Sequence, residues 1–505
     1  MGIGLSKSRY TKGVQCPKML WMDAHMRDKF DESVMNQAVL DTGSKVGDVA
    51  MGYYGDFVEV PYERLTYSEM IALTKELLDA EKPIICEATL SFDGNLCMVD
   101  ILRVEPDGLH IVEVKSSTHI NDIYYHDMAY QAWVLSHCGL NIKSVSLMHL
   151  NNQYVRQGEL DLQQLFTVED CTEDVFAMLD DVDEMIPYLK DYISRDDEPD
   201  FDIGVHCKNP YECGYRGWCW RHVPKPSVFD LNRMPIRKVL GFYEEGIESI
   251  EDAVEAGIQL NNRQNAQAKV EMQGLDGIVD VAALRRFLDD LSFPLYFLDF
   301  ETFQPAIPLF DGTKPYQQIP TQYSLHVLKS PNSELEHYEY LAEAGTDPRR
   351  SVAEHLVIDI PHGVCTLAYN MGFEKGRISE LASTFPDLAD RLIAINEGMR
   401  DLIVPFRNGD YYVRAMGGSN SIKAVLPALF PNDPKLDYHS LEGVHNGSEA
   451  MNAFEAMVNM DADQIAITRE QLLRYCELDT FAMVRIWEKL VSAVQQRSGR
   501  EKSKY

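Results

Sequence analysis

A chain of two α/β domains joined by a helical segment is what the sequence predicts, on three observations. Its 505 residues exceed what one ordinary core accommodates, so two or three domains are expected. Strand-like apolar runs, "CMVDILRV" and "LHIVEVKSS" early and "FPLYFLDFETF" late, are each followed by helical patterns. Between them "MPIRKVLGFYEEGIESIEDAVEAGI" reads as short helices joined by hairpins. The expected domains are residues 1–225 and 291–505, with 226–290 as the link.

Apolar and charged fractions of 45% and 25% are those of a globular protein. No apolar run approaches a membrane span, and "MGIGLSKSRYTKG" lacks a signal-peptide core. A cytoplasmic protein with no membrane partner is the expectation. The net charge of −32 argues against indiscriminate binding of nucleic acid. That charge is uneven, because residues 170–202 are densely acidic while "HCKNPYECGYRGWCWRHVPKP" (206–226) carries excess Lys and Arg. Local basic surface permits a nucleic-acid substrate, and the overall acidity favours a protein partner that supplies positive charge.

In the first domain Asp100 closes one apolar strand, and a turn at "EPDG" leads into "LHIVEVKSS". On that second strand Glu113 and Lys115 share a face. An Asp followed by Glu-x-Lys on the adjoining strand is the set that metal-assisted phosphodiester hydrolysis needs. The carboxylates hold Mg²⁺ or Mn²⁺, and the lysine orients water and offsets transition-state charge. Glu87 can add an acid from an upstream strand, and Gln131 lies on a following helix, "HDMAYQAWVLSHCG". The plainer reading is a surface hairpin with an ordinary Glu-Lys pair.

Ten cysteines call for a reason only where they cluster. Cys86, Cys97, Cys138, Cys171, Cys365 and Cys476 read as small buried residues. Cys16, in "GVQCPKMLW", and Cys207, Cys213 and Cys219 form a different set, one early and three late. Thiolates suit an iron–sulfur cluster or Zn²⁺ equally well, but no C-x2-C knuckle of a zinc ribbon is present. His206 or His222 could replace one ligand.

These residues carry a resemblance over 5–222 to RecB-like PD-(D/E)XK nucleases, in particular the iron–sulfur group that includes CRISPR-associated RecB-like exonucleases. The resemblance implies metal binding by Asp100 and Glu113, catalysis by Lys115, and support from Glu87 and Gln131. It also implies a [4Fe-4S] cluster on the four cysteines, with Zn²⁺ as the alternative. Two departures stand: "GSKVG" (43–47) ends in glycine where such nucleases often carry histidine, and five residues separate each pair of late cysteines.

In the last domain, "LYFLDFETF" places Asp299 and Glu301 on one strand face, with Phe300 on the other. "YNMGFE" puts Asn370 and Glu374 at a strand-to-helix junction, and "YCELD" sets Tyr475 and Asp479 four apart on one helical face. Four acids from a strand, a junction and a late helix can converge on two metal ions, with Tyr475 positioning water. Each piece taken singly has a plainer structural reading. Their order resembles the three motifs of DnaQ-like 3'–5' exonucleases with the tyrosine form of the third, on an RNase H-like fold over about 291–490. The second-motif acid is Glu374 where such enzymes usually have aspartate. "GGSNSIKAVLPALF" (417–430) resembles their cleft-lining segment, which makes Ser421 and Lys423 candidate phosphate contacts beside Asn370. Asp401 reads as a solvated loop charge or an auxiliary acid.

The two resemblances together imply a metal-dependent nuclease with two sites, acting on DNA or RNA in repair, processing or defence. The rival reading is a nucleic-acid-binding scaffold of a repair or defence complex with one or both sites silent. The Gly246-Ile247 step in the link resembles a helix-hairpin-helix unit that could hold a nucleic-acid backbone, or else a simple helical connector.

Overall fold

The structure is a computed structural model that describes residues 4–502, with side chains through Gln496. It is mixed α/β and divides into two compact units, Met1–His222 with Pro305–Gln317, and Val223–Gln304 with Gln318–Tyr505. Among the described residues no helix is long and apolar enough to cross a membrane.

The first unit is built on six strands in sequential order: β1 (Val58–Glu59), β2 (Ile84–Phe92), β3 (Asn95–Glu105), β4 (Gly108–Lys115), β5 (Ile142–Leu150) and β6 (Phe166–Asp170). The "EPDG" turn closes the β3–β4 hairpin with Gly108 at φ 145°, where a Cβ would meet the Asn141 carbonyl at 2.8 Å. β4 and β5 are parallel, joined by helix α5 (Asp122–His137). In β4, Leu109 and Ile111 pack in one core with α5, whereas Val112 packs in a second core on the other face. That second core includes Val46 and Ala50 and takes in Ala306 from the Pro305–Gln317 excursion. Strand alternation therefore aims Glu113 and Lys115 at α5. Cys138 is the exception among the cysteines expected to be buried: it caps the C-terminal end of α5 and is exposed.

The second unit carries β7 (Gly277–Val279), β8 (Leu295–Phe303), β9 (Ile319–Leu328), β10 (Leu335–Leu341), β11 (Cys365–Ala368), β12 (Met399–Asp401) and β13 (Tyr411–Val413). Its main sheet runs β10-β9-β8-β11-β12, antiparallel through β8 and parallel from β8 to β12. Leu295 and Phe297 pack with Leu478, Ala482 and Ile486 of the long helix Ala462–Lys502, while Tyr296, Leu298 and Phe300 pack with Val352 and Leu356 on the other face. Asp299 and Glu301 continue the face that the long helix covers.

The segment 226–290 is not a spacer between units but part of the second one. β7 pairs with β13, and helix Asn262–Met272 buries Arg263, which donates to the carbonyls of Phe406 and Ser419. Gln267 reaches the Asp230 carbonyl in the same way. Buried polar side chains that satisfy distant backbone groups tie the segment in, and local periodicity does not reveal them. Gly246, at φ 78°, turns the chain between helices Ile236–Glu244 and Ile250–Glu255.

Candidate functional site

In the first unit the β3–β4 ladder ends at Ile101↔Val112, and the Asp100 carboxylate then accepts the Val114 N–H at 2.6 Å. Glu87 lies between the ladder pairs Cys86↔Ile101 and Ala88↔Val99, in a left-handed backbone (φ 57°) that non-glycine residues rarely adopt. Burial first, then the Asp100 charge, pushes Glu87 up to about 8. Burial and Glu113 push Asp100 up to about 7. Glu113 itself is enclosed, and its burial is more than offset by Lys115 and Lys7, which hold it well below the usual carboxylate range.

The partners of Glu113 are well defined. Lys115 Nζ donates to Oε1 at 2.5 Å and to Asp127 Oδ2 at 2.6 Å. Gln131 Nε2 donates to Glu113 Oε2 at 2.6 Å, and Lys7 Nζ lies 3.0 and 3.2 Å from the two oxygens. Gln131, fully buried, therefore orients Glu113 from behind. All five predicted residues of this site fall in one region. Lys7 and Asp127 escaped the sequence reading, although Asp127 stands four residues before Gln131 on one face of α5, a spacing that could have shown it. Lys7 had no such signal.

Cys16, Cys207, Cys213 and Cys219 line one small pocket with His206. Cys16 caps helix α2 (Pro17–His25), its sulfur accepting the Met19 N–H at 3.4 Å. Of the late three, Cys207 ends a 3-10 turn (Val205–Cys207) and Cys219 a short helix (Arg216–Cys219), and between them the Cys213 N–H reaches the Cys207 carbonyl at 3.1 Å. The neighbouring Cys16 and Cys207 sulfurs raise the His206 imidazole to about 10. His222 is exposed and is not among the pocket-lining residues. Four soft donors around one pocket fit a thiolate-bound centre.

In the second unit Asp299, Glu301 and Asp479 each bring a carboxylate oxygen within 4.8 Å of the others. Burial, followed by Asp479, Glu374 and Glu301, pushes Asp299 well above the usual carboxylate range. Burial and Asp479 take Glu301 to about 8, and burial takes Asp479 to about 6. Glu374 sits in the first turn of helix Gly372–Thr384, buried, with Oε2 lacking a hydrogen-bond partner, and burial raises it to about 8. Such a donor set fits a divalent cation, since without one only protonation relieves the repulsion among the buried carboxylates.

Tyr475 is buried beside these acids, and burial together with Asp479, Glu301 and Asp299 raises its phenol. Tyr438, missed in the sequence, donates its OH to Asp479 Oδ1 at 2.5 Å, with its ring 5.9 Å from that of Tyr475. Lys423 is exposed, and its charge acts on both Glu301 and Asp479. Ser421 precedes its helix, Ile422–Leu429, without capping it and contacts Ser419 at 3.2 Å. Asn370 is exposed at φ 71°, its N–H given to Asp401 Oδ1 at 2.9 Å. Asp401 is thus no solvated loop charge. It is buried, takes the Ile403 N–H as well, pairs with Arg407 at 3.3 Å and holds the turn that leads to Glu374.

His326, His337 and Glu477 also gather ligand atoms within 4.8 Å. The two imidazoles, however, stack with centroids 4.5 Å apart and 29° between planes, so their in-plane lone pairs do not meet at one point.

Residues 296–421, from β8 through Asp401 to Ser421, match the family described as a domain of unknown function, DUF2779. The chain is also similar to two curated mycoplasma proteins. One is the uncharacterized protein MG366 homolog of Mycoplasma pneumoniae, 31% identical over 206 residues, which cover 38% of this chain and 31% of that protein. The other is the uncharacterized protein MG366 of Mycoplasma genitalium, 27% identical over 210 residues with the same coverage. The matched chain thus spans under a third of the length of these relatives.

Proposed function

We propose that the protein is a cytoplasmic, Mg²⁺- or Mn²⁺-dependent nuclease with two sites. The C-terminal site trims 3' ends of nucleic acid, and the N-terminal site cuts or trims a second time, with DNA favoured and RNA possible as substrate. The observation that carries the reading is the convergence of Asp299 and Glu301 of one strand with Asp479 of a helix some 180 residues later. The strand order of that unit, three antiparallel strands followed by two parallel ones, supports the RNase H-like resemblance.

Asp299, Glu301, Glu374 and Asp479 would hold the cations of the C-terminal site, and Asp100, Glu113 and Glu87 those of the other. Bound there, such ions supply Lewis acidity for an attacking water and charge for the leaving oxygen. The chain's own groups do the rest. Tyr438 fixes Asp479, Tyr475 presents its phenol to the same carboxylate, and Lys423 offers the exposed positive charge for a phosphate. In the first unit Gln131 fixes Glu113, and Lys115 is the ammonium nearest the acids on the same strand.

The four cysteines would hold a [4Fe-4S] cluster, with Zn²⁺ as the alternative ion, stapling the ends of the first unit. Purified anaerobically, the protein should be brown and contain iron. A colourless, iron-free preparation sinks the assignment.

The function is tested on 3'- and 5'-labelled single- and double-stranded DNA and RNA. Wild type is compared with Lys115→Ala and with Asp299→Ala/Glu301→Ala. Each variant should lose one activity and keep the other. If both retain every activity of the wild type, or the wild type has none, the reading fails and the scaffold reading takes its place.

A further inference from the structure

Lys7 is a cation inside the N-terminal acid cluster that the proposed chemistry does not use. Its ammonium spans both oxygens of Glu113, at 3.0 and 3.2 Å, and lies 3.7 Å from Asp127 Oδ1. Together with Lys115 on Oε1 and Gln131 on Oε2, it fills the acceptor positions of that carboxylate. Any cation that takes Glu113 as a ligand must displace one of these three.

The structure says which one yields. Gln131 is fully buried on α5, whose packing holds it against Glu113. Lys115 is held a second time by Asp127 at 2.6 Å. Lys7 has Asp127 only at 3.7 Å, beyond hydrogen-bond reach, and since the two lysine side chains are about equally open (25% and 22%), it is this missing second bond that sets Lys7 apart.

The backbone of Lys7 is fixed, while its ammonium hydrogen-bonds Glu113 alone through a flexible stem. It is the first residue of helix α1 (Lys7–Gln15). Just before it, the Leu5 carbonyl accepts the Leu96 N–H at 2.9 Å and the Tyr130 OH at 2.6 Å. At the far end of α1 the Gln15 amide donates to the carbonyls of His206 and Tyr211 at 2.8 and 2.7 Å, next to Cys16. Displacement therefore means swinging one flexible stem outward, with no backbone rearrangement. An ammonium leaving a carboxylate for the mouth of the site needs an anion there, and a nucleic-acid phosphate is the anion this site is proposed to meet.

We propose that Lys7 keeps the place of a divalent cation on Glu113 and gives it up to the metal when a nucleic-acid phosphate draws it away. Metal and nucleic acid then bind the N-terminal site cooperatively, each removing the obstacle to the other. The inference rests on reading this site as a nuclease centre.

The test uses the full-length protein with the C-terminal site silenced by Asp299→Asn/Asp479→Asn. Mn²⁺ binding is measured by the EPR signal of the free ion, with and without a saturating single-stranded phosphorothioate oligodeoxynucleotide. Glu113→Gln identifies the Mn²⁺ bound at this site. In the parent, the oligonucleotide should tighten Mn²⁺ roughly tenfold. In Lys7→Met, Mn²⁺ should already bind about that much tighter alone, and the oligonucleotide should add little. Lys7→Arg should restore the coupling, and Lys7→Gln serves if the methionine variant melts early. Mn²⁺ bound through Glu113 with the same affinity in parent and Lys7→Met overturns the proposal while leaving the nuclease reading intact. No Mn²⁺ removed by Glu113→Gln in any variant, with or without oligonucleotide, overturns the proposal together with the metal-dependent reading of the N-terminal site.

Discussion

The two acid clusters solve the same electrostatic problem in opposite ways. In the first unit the chain brings its own cations: Lys7 and Lys115 hold Glu113 charged although it is fully enclosed. In the second unit no lysine or arginine among the described residues bonds to Asp299, Glu301 or Asp479, and Lys423 acts only from an exposed position. Repulsion and burial therefore drive those acids towards their protonated forms. A self-compensated cluster is stable without metal and must be opened to bind it. An uncompensated one stands ready for a cation and is strained until the cation arrives.

The largest expected effect comes from silencing the uncompensated cluster. Asp299→Asn/Glu301→Gln should lower 3'-end trimming roughly a thousandfold or more, in a labelled-end assay. Its metal-free melting temperature should be unchanged or higher, because the change removes buried repulsion. A fall in melting temperature would break the contrast between the two clusters. Next, Lys115→Met should lower N-terminal cleavage about a hundredfold, and unlike the first pair it should also destabilise the fold. It leaves buried Asp127 and Glu113 each short of a cation, which thermal melting reads directly.

A smaller effect concerns pH. The folded values of Glu301 and Glu374 are raised to about 8, and that of Asp479 to about 6. Groups raised in this way bind protons more tightly when folded, so the stability they contribute is full at acid pH. It is lost as pH rises from the unfolded carboxylate range towards 8. The metal-free melting temperature should fall over that window, and Mn²⁺ should flatten the fall. Glu87 and Asp100 add to the slope, so the second unit's share is the part that Asp299→Asn/Glu301→Gln changes. The smallest effect is that of Tyr438→Phe, which keeps the ring and loses one hydrogen bond to Asp479. About a tenfold loss of trimming is expected, with only a small fall in melting temperature from the bond that buried Asp479 loses.

Much of both sites was legible wherever a single element carries two of the residues. Asp299 and Glu301 obey strand alternation, and Tyr475 and Asp479 obey helical spacing. Glu113 and Lys115 read together for the same reason as the first pair. Lone residues such as Glu87, Asp100 and Glu374 were legible only through the order of the motifs around them, and Tyr438 and Lys7, which belong to no motif, were not legible. Tyr438 reaches Asp479 across 41 positions, and Lys7 reaches Glu113 across 106. Asp401 looked like a loop charge because its partners, Asn370, Ile403 and Arg407, converge only once β12 lies beside β11.

Short-range geometry, period two in a strand and 3.6 in a helix, decides which side chains share a face, and that information lies in the order of residues. Alternation and turn chemistry were accordingly enough to determine two α/β domains and the pairing of acids within each strand or helix. Which faces meet depends on burying apolar surface between elements far apart in the chain, and no local pattern encodes that choice. Only the tertiary structure could decide that 226–290 belongs to the second unit. It alone brings Glu374 towards Asp299, and it alone places lysines inside one acid cluster while leaving the other without them.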